Sequence, residues 1–201
     1  MKKKITFVNV IFWVIFGVLT GVLWAYANPI PVPVPGVTGI HFRIFAFLVP
    51  AIGFLFGPWS GFFAGYIGSI VWALLAGMFN PLHTPLMDGI GVGLSGMLPA
   101  LVMIGKKNTL ESITENKGQF IWKCMLISVL FGFGMILTSS FSSTWIVDGV
   151  KEIGSAEFNA KFWWYVLWIG LADIPAIALT PFVVLPLSTR IKKVQTLVPY
   201  L

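Results

Sequence analysis

The chain has 201 residues, of which 57% are hydrophobic and 10% are charged, and its formal net charge is +6. Soluble domains carry about a quarter charged residues, and a soluble protein of this size cannot bury so much apolar surface in one core. Composition therefore excludes a soluble domain and predicts an all-α integral membrane protein.

Six apolar segments are expected to cross the bilayer, since most are long enough for a hydrocarbon core about 30 Å thick. The predicted spans are residues 5–27, 42–57, 59–79, 86–104, 120–140 and 162–189. The first follows Lys2, Lys3 and Lys4 and resembles a signal peptide, but it is too long for a typical signal core and is expected to be retained. Residues 1–201 are predicted to form a single compact six-helix domain.

The first loop, residues 28–39, is rich in proline. Prolines at every second position (Pro29, Pro31, Pro33, Pro35) favour an extended polyproline-II path, so this loop is predicted to be a stiff strap.

The positions of the basic residues predict the orientation. With both termini in the cytoplasm, ten of the 13 lysines and arginines lie inside, and Arg43, Lys151 and Lys161 lie outside. Positive charge concentrates on the cytoplasmic side of membrane proteins. The excess of basic residues is therefore interpreted as a signal of membrane orientation, and no nucleic-acid partner is expected.

Small residues recur at four-residue spacing in two spans, which allows close helix approach in lipid. In the first span these are Gly17, Gly21 and Ala25, which we expect to form either internal packing or a docking face for another membrane subunit. For Gly61 and Gly65 in the third span, internal packing is favoured.

The sequence lacks the motifs of the common enzyme classes. It contains no glycine-rich nucleotide-binding signature and no His-Glu-x-x-His, and its two histidines and one cysteine make a metal site improbable. We therefore expect neither enzymatic activity nor a cofactor in this chain.

Polar and aromatic residues gather on the predicted outer side. An aromatic belt at the headgroups explains part of this pattern, but a half-buried aromatic cleft with a few polar anchors is typical of small-molecule sites. The predicted substrate-binding residues are Trp164, Trp168, Asp88, Ser140, Ser143, Trp145, Asn80 and Asp173. Trp164 and Trp168 are one turn apart and are expected to stack on a flat ring.

Asp173 is predicted to lie near mid-bilayer, about 16 Å into the sixth span at ~1.5 Å per residue. An ionisable residue there indicates either a ligand contact or a hydrogen-bonded structural carboxyl. Helical periodicity turns Asp173 away from Trp164, and Pro175 is expected to kink the helix.

The six spans, the basic N-terminus, the proline-rich loop and the segments 47–61 and 88–93 together resemble the S-component of energy-coupling factor transporters. Members of this family bind vitamins at the bacterial plasma membrane, in a pocket lined by the last three helices and closed by the first outer loop. The resemblance implies docking through the first helix onto a membrane T-component, with ATP consumed by two cytoplasmic ATPase subunits. The many aromatic residues favour a flat heteroaromatic or macrocyclic ligand without choosing between thiamine-like, pyridoxine-like, flavin, folate and cobalamin compounds, and we expect, by a slight preference, cobalamin or another bulky vitamin. The alternatives are a small secondary transporter or channel and a membrane assembly protein without a ligand.

Overall fold

The structure, a computed structural model, describes residues 5–27, 42–104, 113, 116–198 and 200. Within these residues all regular secondary structure is helical. The helices are α1 Phe7–Tyr26, α2 Leu48–Phe56, α3 Pro58–Leu75, α4 Gly89–Met103, α5 Lys117–Ser142, α6 Ala156–Ala178, α7 Thr180–Arg190 and α8 Lys192–Leu197. A five-residue π-helical turn, Thr84–Asp88, leads into α4, and another, Ser143–Val147, follows α5.

Five segments of the described chain are long and apolar enough to cross a membrane. They are Phe7–Tyr26, Pro58–Leu75, Thr84–Met103, Lys117–Val147 and Ala156–Arg190. The expected all-α, multi-pass character is thereby supported by length and composition. The second predicted span, residues 42–57, contains a shorter helix than expected, because α2 has only nine residues. At ~1.5 Å per residue, α2 is about 13 Å long, which is too short to cross the membrane alone.

Local sequence signals set several helix ends. Thr6 caps α1 by accepting a hydrogen bond from the backbone N–H of Asn9, whose side chain accepts one from the Thr6 N–H in return. Gly57, at φ 104°, separates α2 from α3, and Pro58 begins α3, where no intrahelical N–H is needed.

The predicted sixth span is divided in two. Instead of one helix over 162–189, α6 begins earlier, at Ala156, and ends at Ala178, and α7 continues from Thr180. Pro175 and Pro181 lack the N–H groups that would continue the hydrogen-bond ladder through this turn, which explains the interruption.

Helices α1 and α3 pack against each other and run in the same direction. The indole N–H of Trp13 donates to Ser60 Oγ at 3.0 Å, and a Cβ built on Gly17 would lie 2.5 Å from Ile67 Cβ. Because residue numbers rise together along the two helices, α1 ends and α3 begins at opposite ends of the bundle.

The face of α1 that carries Gly17 and Gly21 is covered by α3. A Cβ on Gly21 would lie 2.6 Å from Val71 Cβ, and both glycines are buried. The expectation of an open docking face is therefore corrected for these two glycines, which serve the internal packing of α1 on α3. Ala25 is half-buried, and its predicted docking role stays a prediction.

Helices α2 and α4 meet α3 along a seam of glycines, which confirms the internal packing expected for Gly61 and Gly65. A Cβ on Gly61 would lie 2.4 Å from the Gly96 carbonyl oxygen, and one on Gly65 would lie 2.7 Å from the Val92 oxygen. Because residue numbers rise in α3 as they fall in α4, these two helices are antiparallel.

Both described ends of the chain lie at one end of the bundle, which we call the terminal end. One buried cluster joins Phe12 near the start of α1, Ile104 after α4, Phe120 near the start of α5, and Val198. The opposite end, where α3 ends and α4 begins, is called the distal end.

Candidate functional site

Asp88 joins three helices at the distal end. Its Oδ2 accepts a hydrogen bond from Ser69 Oγ of α3 at 2.5 Å, and its Oδ1 accepts one from Ser139 Oγ of α5 at 2.6 Å. Asp88 thus accepts hydroxyl hydrogen bonds from two different helices. Asp88 is half-buried, and both serines are buried, so this carboxylate is held in place from two sides.

Arg43 and Asp173 form an ion pair deeper in the bundle. Arg43 Nη1 lies 3.4 Å from Asp173 Oδ2, and the backbone N–H of Arg43 donates to the Ala172 carbonyl at 2.9 Å. The guanidinium also lies over the ring of Trp72, 4.6 Å from its centroid, which adds a cation–π contact. Asp173 is therefore a buried carboxylate with a specific cation beside it.

We group the two carboxyl groups in one site because α3 contacts Asp88 through Ser69 and contacts Arg43, the partner of Asp173, through Trp72. Ser69 and Trp72 are three residues apart, a spacing that places side chains side by side on a helix. We call Arg43, Ser69, Asp88, Ser139 and Asp173 the polar cluster.

The polar cluster holds more acceptors than donors and more negative than positive charge. Two carboxylates face one guanidinium, and no lysine or arginine within the described ranges forms an ion pair with Asp88. Asp173 is 1% exposed, and its Oδ1 has no hydrogen-bond partner among the described residues. A buried acceptor without a partner is costly, so this oxygen is a candidate ligand contact.

His83 extends the network toward the loop before α4. Its Nδ1 lies 2.9 Å from Ser142 Oγ, and that hydroxyl donates to the Ser139 carbonyl at 3.1 Å, so Nδ1–H of His83 is the donor. Burial lowers the pKa of His83 below its usual 6.5, and the nearby Asp88 carboxylate opposes this effect only partly. His83 is therefore neutral at pH 7.

The pKa shift of His83 predicts a stability that falls in mild acid. Because the folded-state pKa is lowered, protonation favours the unfolded state; this contribution is fully present above pH 6.5 and is lost as pH falls from there toward the folded pKa. Thermal unfolding in detergent between pH 5 and 8 measures it. His83→Gln should flatten the pH dependence, and an equally steep profile in that variant would contradict the assignment.

The two tryptophans predicted to stack on a ligand differ in environment. Trp164 is 47% exposed and Trp168 is 3% exposed, and their rings meet edge to face with centroids 4.8 Å apart. They pack on each other edge to face, and their joint role in stacking on a ligand stays a prediction. Trp164 also faces away from the buried Asp173, as helical periodicity predicted.

The remaining predicted site residues separate into two groups. Ser140 is buried with its Oγ unpartnered among the described residues, and Ser143 is also buried; their role in binding stays a prediction. Asn80 and Trp145 lie in structural contacts. Asn80 Oδ1 accepts from the N–H groups of Leu82 and His83, and Trp145 carries the ammonium of Lys151 over its ring at 4.7 Å.

Sequence reasoning did not select Arg43, Ser69 or Ser139 as site residues. The signal was available for Ser69 and Ser139, because polar side chains within apolar spans indicate buried partners. The choice between Ser139 and Ser140 depends on helical phase, which sequence periodicity does not fix to one residue. The proline-rich segment 28–39 lies outside the described residues.

A groove between α4 and α5 does not coincide with the polar cluster. It has a volume of about 220 Å³ and an almost wholly apolar lining that includes Ile90, Leu94, Phe131 and Gly134. Thr138 borders it, but its hydroxyl donates to backbone carbonyls of its own helix. This groove lacks the polar contacts that fix a ligand, so the polar cluster is the candidate site.

Comparison with known proteins adds no assignment. Scans of protein-family models, of curated proteins and of solved structures returned no match to this chain.

Proposed function

We propose that this chain is the substrate-binding S-component of an energy-coupling factor transporter, which captures a vitamin or related micronutrient outside a bacterial cell. The observation that carries the proposal is the polar cluster, two carboxylates and a guanidinium enclosed at one end of an apolar helix bundle. Ionisable groups within a membrane protein are costly and mark substrate or ion sites by default.

The proposed topology has six crossings, with both termini in the cytoplasm. The parallel course of α1 and α3 supports it, because the segment between them must cross the bundle once, with α2 as its final part. The distribution of basic residues in the sequence supports cytoplasmic termini. The distal end, with the polar cluster, then faces outward.

Cysteine labelling in intact cells tests this topology. The single Cys124 is buried, so introduced cysteines are the reactive ones. We expect an impermeant maleimide to label Glu152→Cys, in the exposed distal loop, and to spare Thr196→Cys in α8 until the membrane is permeabilised. Labelling of Thr196→Cys in intact cells would contradict a cytoplasmic C-terminus.

The proposed partners are a membrane T-component and two cytoplasmic ATPase subunits, with ATP used by those subunits. Gly17 and Gly21 are occupied by α3, so docking requires another face. The opposite face of α1 is apolar and exposed, with Val14, Ile15, Val18 and Val22 along it. The slight sequence-based preference for cobalamin gains no support from any contact within the described residues.

A proton-coupled secondary transporter is the second candidate, and the Arg43–Asp173 pair favours it. Carboxylates buried in transmembrane helices serve as proton relays in such carriers. The two functions differ in energy source: a secondary carrier transports without ATPase subunits and stops when an uncoupler collapses the proton gradient.

Mass spectrometry of the purified chain tests the binding role. We expect one organic micronutrient to copurify in near-stoichiometric amount with the parent chain and with Asp148→Asn, a control whose carboxylate pairs with Lys161 outside the polar cluster. Asp88→Asn should carry less of it. A parent chain that retains no small molecule and binds no added vitamin would contradict the proposal.

A further inference from the structure

The charge of the polar cluster restricts the substrate class. Within the described residues, the side chains at this site are those of Arg43, Asp88, Asp173 and His83 together with serine hydroxyls. Two carboxylates stand against one guanidinium there, so the site carries one formal negative charge in excess. Its buried location makes that excess expensive, because charge is poorly solvated away from water.

The hydrogen bonds of Asp88 do not cancel its charge. Ser69 and Ser139 each donate one proton to it, but a hydroxyl is neutral and supplies a dipole alone. Each carboxylate oxygen has a second lone pair, so Asp88 is able to accept a further donor from a ligand without losing either serine.

Asp173 supplies the second acceptor. Arg43 occupies Oδ2 through a single contact of 3.4 Å, and not through the bidentate geometry that a guanidinium and a carboxylate prefer. Oδ1 is buried and without a hydrogen-bond partner among the described residues. A donor placed at Oδ1 would remove the cost of burying a bare acceptor.

We infer that the substrate carries a positive charge, as an amine or a cationic heteroaromatic ring, and that Asp88 and Asp173 accept it. The inference rests on the proposed function and narrows it. An anionic vitamin would add a second uncompensated negative charge to a site that has one cation, already paired.

Fluorescence titration of the purified full chain tests the inference, since the chain contains nine tryptophans. The probes are thiamine and pyridoxamine as cations, riboflavin, pyridoxine and cyanocobalamin without a net positive charge, and biotin and folate as anions. We expect saturable quenching by a cationic probe at the lowest concentration. Asp88→Asn should weaken that binding by about thirtyfold or more, the usual effect of removing one partner of a buried charge pair. Asp148→Asn should leave it unchanged.

The outcomes separate the two proposals. Tighter binding of a neutral or anionic probe would overturn the charge inference and leave the substrate-binding role intact. Equal weakening by Asp88→Asn and Asp148→Asn would also overturn it. Any negative charge at the distal end would then attract the cation, without a specific contact to Asp88. If none of the seven probes binds, the charge of the copurifying molecule decides the inference, and a chain that neither binds a probe nor retains a small molecule contradicts the vitamin-binding role itself.

Discussion

Replacing Arg43 with glutamine is expected to cost about 3–5 kcal/mol of stability, because it leaves the buried Asp173 carboxylate without its cation. Asp173 is 1% exposed, so water does not take over the role of the guanidinium. The change also removes the cation–π contact with Trp72. Thermal unfolding in detergent, followed by size-exclusion chromatography, measures the loss.

A double variant and a surface pair provide the controls. Arg43→Gln combined with Asp173→Asn should recover most of the stability, since neither side chain is then charged. Lys161→Gln breaks the more exposed pair with Asp148 and should cost less than about 1 kcal/mol. A double variant no more stable than Arg43→Gln alone would show that the ion pair is not what Arg43 contributes.

Gly61→Ala is expected to destabilise the bundle by about 1–3 kcal/mol, as overpacking of a close-packed interior does. The added methyl would lie 2.4 Å from the Gly96 carbonyl oxygen, a backbone atom that moves only if α3 and α4 separate. The same detergent assay measures the effect.

Gly134→Ala is the matched control for this change. It lies in a transmembrane helix of the same chain, but no atom outside its own helix lies within 4 Å of a Cβ built there. Removing a helical glycine then gains roughly 0.5–1 kcal/mol through chain entropy. Equal stabilities of the two variants would mean that α3 and α4 do not pack through this seam.

The sequence predicted the helical membrane character because that character depends on composition and on the length of apolar runs. It also predicted that Gly61 and Gly65 pack internally. It did not distinguish docking from packing for Gly17 and Gly21, because a small-residue face looks the same whether a neighbouring helix or another subunit covers it. The last predicted span is divided at Leu179, between Pro175 and Pro181. Whether two such prolines kink a helix or interrupt it depends on how the flanking turns pack, which the sequence does not show.

The candidate site was predicted in part. Asp173 stood out because carboxylates within apolar spans are rare, and Asp88 was predicted as one of the polar residues gathered on the outer side. Their partners were not selected, since Arg43, Ser69 and Ser139 come from three different parts of the chain and are brought together only by the fold. Trp164 and Trp168 were expected to share a ligand, but spacing of four residues also permits the edge-to-face contact that they make with each other.

Uptake of a radiolabelled micronutrient tests the central claim, that this chain captures a substrate which partner ATPases drive inward. The substrate is the molecule that copurifies with the chain, and the host cells lack their own uptake system for it. We expect accumulation only when the chain is expressed with a T-component and active ATPase subunits, and none when the ATPase is inactivated at its phosphate-binding lysine. Accumulation by the chain alone, abolished by an uncoupler, would contradict the account and assign it to a secondary transporter.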